Sequence, residues 1–206
     1  MTKKSVGIIN TPASNSLSVF RAMKWLDLDV YLIDNPKDLG RFTHIIVPGV
    51  SRFDSLIGEM NLIGFTDELQ KAKSGGKAIL GLCAGMQIMG KSSEESPSSQ
   101  GLGWFNFDVK KIVPSKLKNV RNFHTGWNDV RGIENQSRFP VSGCYYFNHS
   151  YFVEAFSKDE VIGVTQNYVT FASVIKHENV LGAQFHPEKS QRDGLRFLKE
   201  FWELAT

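Results

Sequence analysis

Cysteine is scarce in this chain. Its 206 residues include two, Cys83 and Cys144. They could in principle pair, but neither number nor spacing gives a disulfide framework. Long hydrophobic runs are missing too: no window approaches the roughly 20 apolar residues that span a bilayer. The opening "MTKKSVGIIN" has lysines and only a short apolar run, so it does not fit a signal peptide. Charge of one sign does not dominate. A net charge of +3 with no dense Lys/Arg block gives no footing for nucleic acid. There is no internal repeat and no linker long enough to divide the chain. What remains is a globular composition, 41% hydrophobic and 22% charged, able to bury a core without metal or disulfide. The reading is one α/β domain over residues 1–206 in a cytoplasmic, reducing compartment, where Cys83 stays a thiol.

Short apolar runs alternate with helical spacing in the first half. "SVGII", "VYLI", "HIIVPG" and "AILGL" read as strands. Between them, Leu17, Phe20, Ala22, Met23 and Leu26 recur at helical spacing. "FTDELQKAKSGG" reads as a helix with Thr66 as N-cap, and "AGMQIMG" opens another. This rhythm predicts a parallel sheet with helices on both faces. The polar stretch "SSEESPSSQG", Ser92 to Gly101, reads as a surface loop. Beyond it "FNFDVKKI", "CYYFNHSYFV", "EVIGVTQ", "TFASVIK" and "VLGAQF" read as strands, with "HEN" a hairpin turn. The last helix, roughly Gln191 to Leu204, carries Leu195, Leu198, Phe201 and Trp202 on one face.

Gly81-Leu82-Cys83-Ala84-Gly85 stands between a predicted strand and a predicted helix. In the serine analogue of G-x-C-x-G, small flanking residues permit a strained turn that lifts the nucleophile above the sheet. A helix N-terminus beneath it would favour thiolate, and the Ala84 N–H would face an oxyanion. "VPGVS", Val47 to Ser51, ends a strand at the same edge and offers a second donor. Taken alone, the motif fits a buried structural or redox-sensing cysteine equally well. Among five histidines, His44 and His177 fit structural or solvated roles, and His124 and His149 lie in aromatic loop sequence. His186 differs, because Glu188 follows it by two residues and extended backbone puts both side chains on one side. Such a carboxylate fixes the imidazole tautomer and stabilises its protonated form.

"GLCAGMQ" together with "QFHPEKS" resembles the class I glutamine amidotransferases. "FHTGWNDV" and "YYFNHSYFV" are similar to segments of the glutaminase subunit of imidazole glycerol phosphate synthase, and the likeness extends over the whole chain. It implies a flavodoxin-like three-layer α/β fold with a mostly parallel central sheet and added antiparallel strands. It implies Cys83 as nucleophile, His186 as acid/base and Glu188 as its orienter. Gly49, Val50 and Ala84 correspond to oxyanion positions. Gln87, His149, Ser150 and Tyr151 correspond to positions that hold glutamine, and Trp127 and Asn128 to positions facing a partner. No metal or cofactor is implied. The implied partner is a (β/α)8 cyclase that takes up the ammonia to close an imidazole ring. A paralogous glutaminase feeding a sugar amidotransferase in surface-polysaccharide synthesis is the alternative. The chain departs from the pattern at Asn10-Thr11-Pro12, at Ser51, at Phe123 and Thr125, and in "NYVTFASV".

Overall fold

The computed structural model describes residues 3–113, 122–133, 139–154 and 159–205. In chain order the elements are β1 (Val6–Ile9), α1 (Ser16–Trp25), β2 (Val30–Ile33), β3 (His44–Gly49), α2 (Phe53–Ile63), α3 (Phe65–Ser74), β4 (Ala78–Cys83) and the single turn α4 (Ala84–Gln87). There follow β5 (Ser92–Ser93), β6 (Asp108–Lys111), β7 (His124–Gly132), β8 (Gly143–His149), β9 (Tyr151–Glu154), β10 (Val161–Gln166), β11 (Thr170–His177), β12 (Val180–Ala183) and α5 (Gln191–Glu203).

Strands β2-β1-β3-β4-β12 lie side by side and run parallel. Their near-continuous apolar sequences reflect burial on both faces. Successive residues alternate between two cores. Ile45, Val47 and Ile79 pack under α2 and α3 with Phe53, Leu56 and Phe65. Ile46, Ala78 and Leu80 pack under α1 and α5 with Val19, Met23, Phe197 and Phe201. The predicted helices on both faces are therefore present. Beyond β12 the sheet continues through antiparallel β11, β10, β7 and β8.

The structure amends several local expectations. The α2 helix was not foreseen, although Phe53, Leu56, Ile57 and Met60 are its buried stripe at helical spacing. The flanking residue Arg52 makes no side-chain cap; instead Glu95 Oε2 accepts the Phe53 N–H at 2.8 Å. This carboxylate belongs to the Ser-rich stretch, which thus caps a helix and also supplies the short strand β5. Thr66 is not the N-cap of α3. That helix begins at Phe65, and Gly64 at φ 96° both closes α2 and opens α3. The helix expected after Cys83 is one turn long. "CYYFNHSYFV" splits at Ser150 into β8 and β9, and the histidine-bearing "HTGWNDVRG" is strand rather than loop. On α5 the buried stripe is Gly194, Phe197, Leu198 and Phe201, with Leu195 and Trp202 half-buried at its margins.

Candidate active site

Cys83 ends β4 in parallel register with Gly49, the last residue of β3. Its backbone adopts φ 53° and ψ −110°, a conformation that non-glycine residues rarely hold and that stores strain. The surrounding packing enforces the turn. A Cβ on Gly85 would lie 1.9 Å from the Val47 carbonyl oxygen, and one on Gly81 would lie 2.5 Å from the Gly85 oxygen. The two flanking glycines therefore let three backbone segments meet around the cysteine. Cys83 itself is buried, while Cys144 is exposed, and both are free thiols. With α4 a single turn, little macrodipole develops beneath the sulfur, so the expected helix N-terminus adds little to stabilise a thiolate there. The charge partner is a histidine instead.

His186 follows β12, the strand hydrogen-bonded to β4. Its Nδ1 lies 2.9 Å from Glu188 Oε1, and both side chains are almost wholly buried. Burial on its own would lower the imidazole pKa. The negative charge and hydrogen bond of Cys83 outweigh this, followed by those of Glu188, and together they raise it to about 10. The three predicted residues are thus brought together: sulfur and imidazole border one cavity, and the carboxylate stands behind the imidazole. Asn15, at the N-terminus of α1, adds a second contact, donating from Nδ2 to Glu188 Oε1 at 3.1 Å. Sequence reasoning gave Asn15 no role here, since it depends on packing of α1 against the segment after β12.

Cys83, His186 and Asn15 border a cavity of about 660 Å³ at the carboxyl ends of β1, β3, β4 and β12. Open α/β sheets bind ligands at this edge. Val50, Ala84, Gln87, His149, Ser150 and Tyr151 all line it, together with Arg52, Glu95, Phe123 and Lys189. Gly49 lies behind the wall, where a Cβ would meet Leu56 and the Gly85 nitrogen at 2.6 and 2.7 Å. Val50 is exposed, and its N–H donates to the Ala13 carbonyl at 3.3 Å rather than into the cavity.

From the wall inward runs a row of polar groups, buried except for the half-buried Asn128, that the sequence did not reveal. Gln184 Nε2 donates to Cys83 Sγ at 3.7 Å. Gln87 Nε2 donates to Gln184 Oε1 at 3.1 Å and to the Tyr151 carbonyl at 2.9 Å. The same carbonyl takes His149 Nδ1 at 2.8 Å, and His149 Nε2 meets His124 Nδ1 at 3.1 Å. Asn128 Nδ2 closes the row on His124 Nε2 at 3.3 Å. Burial holds both histidines neutral, with pKa values of about 3 for His149 and about 4 for His124. A signal for Gln184 was available, because it precedes His186 by two residues and so shares its side of the chain. Trp127 and Asn128 sit on opposite faces of β7. Trp127 is 48% exposed beside Tyr146, whereas the Asn128 amide turns inward to His124 and the Gln166 carbonyl.

Known proteins resemble this chain along nearly all of it. A family model described as glutamine amidotransferase class-I matches residues 8–204. Imidazole glycerol phosphate synthase subunit HisH of Moorella thermoacetica is 33% identical over 205 residues, 98% of this chain and 96% of that one. Its counterpart in Pyrococcus furiosus is 36% identical over 211 residues, 97% of this chain and 98% of that one. A crystal structure of a glutamine amidotransferase has the same fold, with a TM-score of 0.75 at 20% identity over 96% of this chain and 97% of that one. With its strand order, its elbow and its full-length likeness, the chain belongs to the class I glutamine amidotransferase family.

Proposed function

We propose that this protein is the glutaminase subunit of an imidazole glycerol phosphate synthase, releasing ammonia from glutamine for a (β/α)8 cyclase partner. The observation that carries the reading is Cys83 at φ 53°, facing a His186 whose Nδ1 is held 2.9 Å from Glu188. A protonated imidazole beside sulfur favours thiolate, the nucleophilic form. The thiolate attacks the side-chain carbonyl carbon of glutamine, and the carbonyl π electrons move to oxygen. His186 gives its proton to the amide nitrogen as the carbon–nitrogen bond breaks and ammonia leaves. Neutral His186 then takes a proton from water, which attacks the thioester and frees glutamate and the thiolate. Glu188, hydrogen-bonded to Nδ1, directs Nε2 at the reacting atoms throughout. The cavity wall suits a free amino acid, with the Glu95 carboxylate for an ammonium and Lys189 for a carboxylate, while Arg52 is paired with Asp54.

The Ala84 N–H is one oxyanion donor in this reading. The second, on Val50, is engaged with Ala13 and must rotate inward. Ser51 follows it where the family pattern has glycine, and a side chain there narrows the backbone options of the turn. Ser51→Gly is expected to raise glutamate release by the unpartnered chain; an unchanged rate would contradict a role for this residue in the rotation.

The likeness to the two synthase subunits supports the histidine pathway, and the exposed Trp127 fits an anchor for the cyclase. The alternative is a sugar amidotransferase partner. One observation favours it: the departures Ser51 and Phe123 both line the cavity. Glutamate release, measured for the chain alone and with a candidate cyclase and its ligand, separates the two. Stimulation by the cyclase's ligand supports the histidine pathway. A stable complex without stimulation would favour the sugar pathway.

A further inference from the structure

The hydrogen-bond directions in the buried row behind Cys83 are not free to vary, and this fixes what Gln184 does. A backbone carbonyl only accepts. The Tyr151 carbonyl therefore requires a proton on His149 Nδ1 and the NH2 end of Gln87, at 2.8 and 2.9 Å. With His149 neutral, its Nε2 has a lone pair and accepts from His124 Nδ1–H. His124 in turn presents a bare Nε2 to the Asn128 amide. On the other side, the second N–H of Gln87 meets Gln184 Oε1, which places the Gln184 NH2 on the sulfur. Reversing the Gln184 amide would set an oxygen against Cys83 and an NH2 against an NH2. Two donors converge on the Tyr151 carbonyl, so the row cannot pass a proton from end to end. It can only hold positions.

We propose that Gln184 is a positioning residue for Cys83, donating to the sulfur from beneath. Gln87, locked by the Tyr151 carbonyl and the His149–His124–Asn128 row, sets the direction of that donation. This rests on the reading of Cys83 as nucleophile, and it adds a role to Gln87. Both of its amide protons are engaged inside the protein, so besides lining the cavity it orients Gln184. All four side chains from Gln184 to His124 are buried, where hydrogen bonds are less weakened by competing water.

The test uses Gln184→Met and Gln87→Met, which keep length and apolar bulk, and their combination. Two readouts are taken: steady-state kinetics of glutamate release from the partnered complex, and the rate of Cys83 alkylation by iodoacetamide without glutamine. A lost hydrogen bond to a charged sulfur is worth about a tenfold change. Gln184→Met should therefore lower kcat and the alkylation rate about tenfold, with KM held within about twofold. Gln87→Met should act in the same direction, and the double variant should be no slower than Gln184→Met, because the two act in series. Unchanged alkylation in both single variants would overturn the proposal. So would effects that multiply in the double variant, or a raised KM at constant kcat in Gln87→Met. If Gln184→Met does not fold, His124→Phe, whose ring keeps the stack on Phe147, should slow alkylation, and no slowing would overturn the proposal. Slower alkylation in the variants of a protein that releases no glutamate would uphold the positioning role and reject the glutaminase reading.

Discussion

His186 sits between two opposed influences: burial that disfavours its charge, and negative neighbours that favour it. The neighbours win and its pKa rises to about 10. A histidine raised from an ordinary 6.5 contributes stability that is fully present below pH 6.5 and is lost as pH rises through about 10. Glu188→Gln keeps the hydrogen-bonding shape and removes one negative charge. The variant is expected to titrate His186 at a lower pH by NMR and to lose kcat about a hundredfold or more. A wild-type rate from Glu188→Gln would contradict the orienting role given to the carboxylate. The residue scale is also where the sequence was most legible. The pairing of His186 with Glu188 is as expected, although it closes across a 3-10 turn, Pro187–Lys189, and not along extended backbone; the elbow was legible in the glycines around Cys83. Asn15 was not legible as a partner, because it acts through a residue from a distant segment of the chain, and Gln184 carried only its two-residue spacing from His186 as a signal.

At the scale of elements, α2 shows how long-range contacts replace local signals. Its apolar stripe is visible in the sequence, but its N-terminal cap is a carboxylate from another loop. Local cap rules could not find it. Glu95→Ala should lower unfolding stability by about 1 kcal/mol, read from chemical denaturation. Glu95→Gln, which retains an acceptor oxygen, should lose less, and equal losses would show that the cap is not what the side chain supplies. The strands of the parallel sheet were legible because burial on both faces writes them as plain apolar runs. β7 was not, since its inner positions carry His124, Gly126 and Asn128 rather than an apolar alternation. The polar row that hides this strand from pattern reading is the same row that reaches Cys83.

The whole molecule holds three histidines neutral in its interior, His44 and His124 with pKa values of about 4 and His149 of about 3. For such groups the unfolded chain binds protons first as pH falls. Their contribution is complete above pH 6.5 and is lost progressively as pH falls through 6.5 toward 4. The thermal midpoint should therefore drop between pH 6.5 and 4.5, and His124→Phe should flatten the slope; a slope unchanged by this variant would count against burial of neutral His124. No helix among the described residues is long and apolar enough to cross a membrane. The fold instead brings four strand ends to one edge, and the account turns on the sulfur that stands there. The most direct test is glutamate release by the partnered complex with Cys83→Ala, beside a circular dichroism check that the variant is folded. The account predicts no release above background. Release at the wild-type rate from folded Cys83→Ala would contradict it.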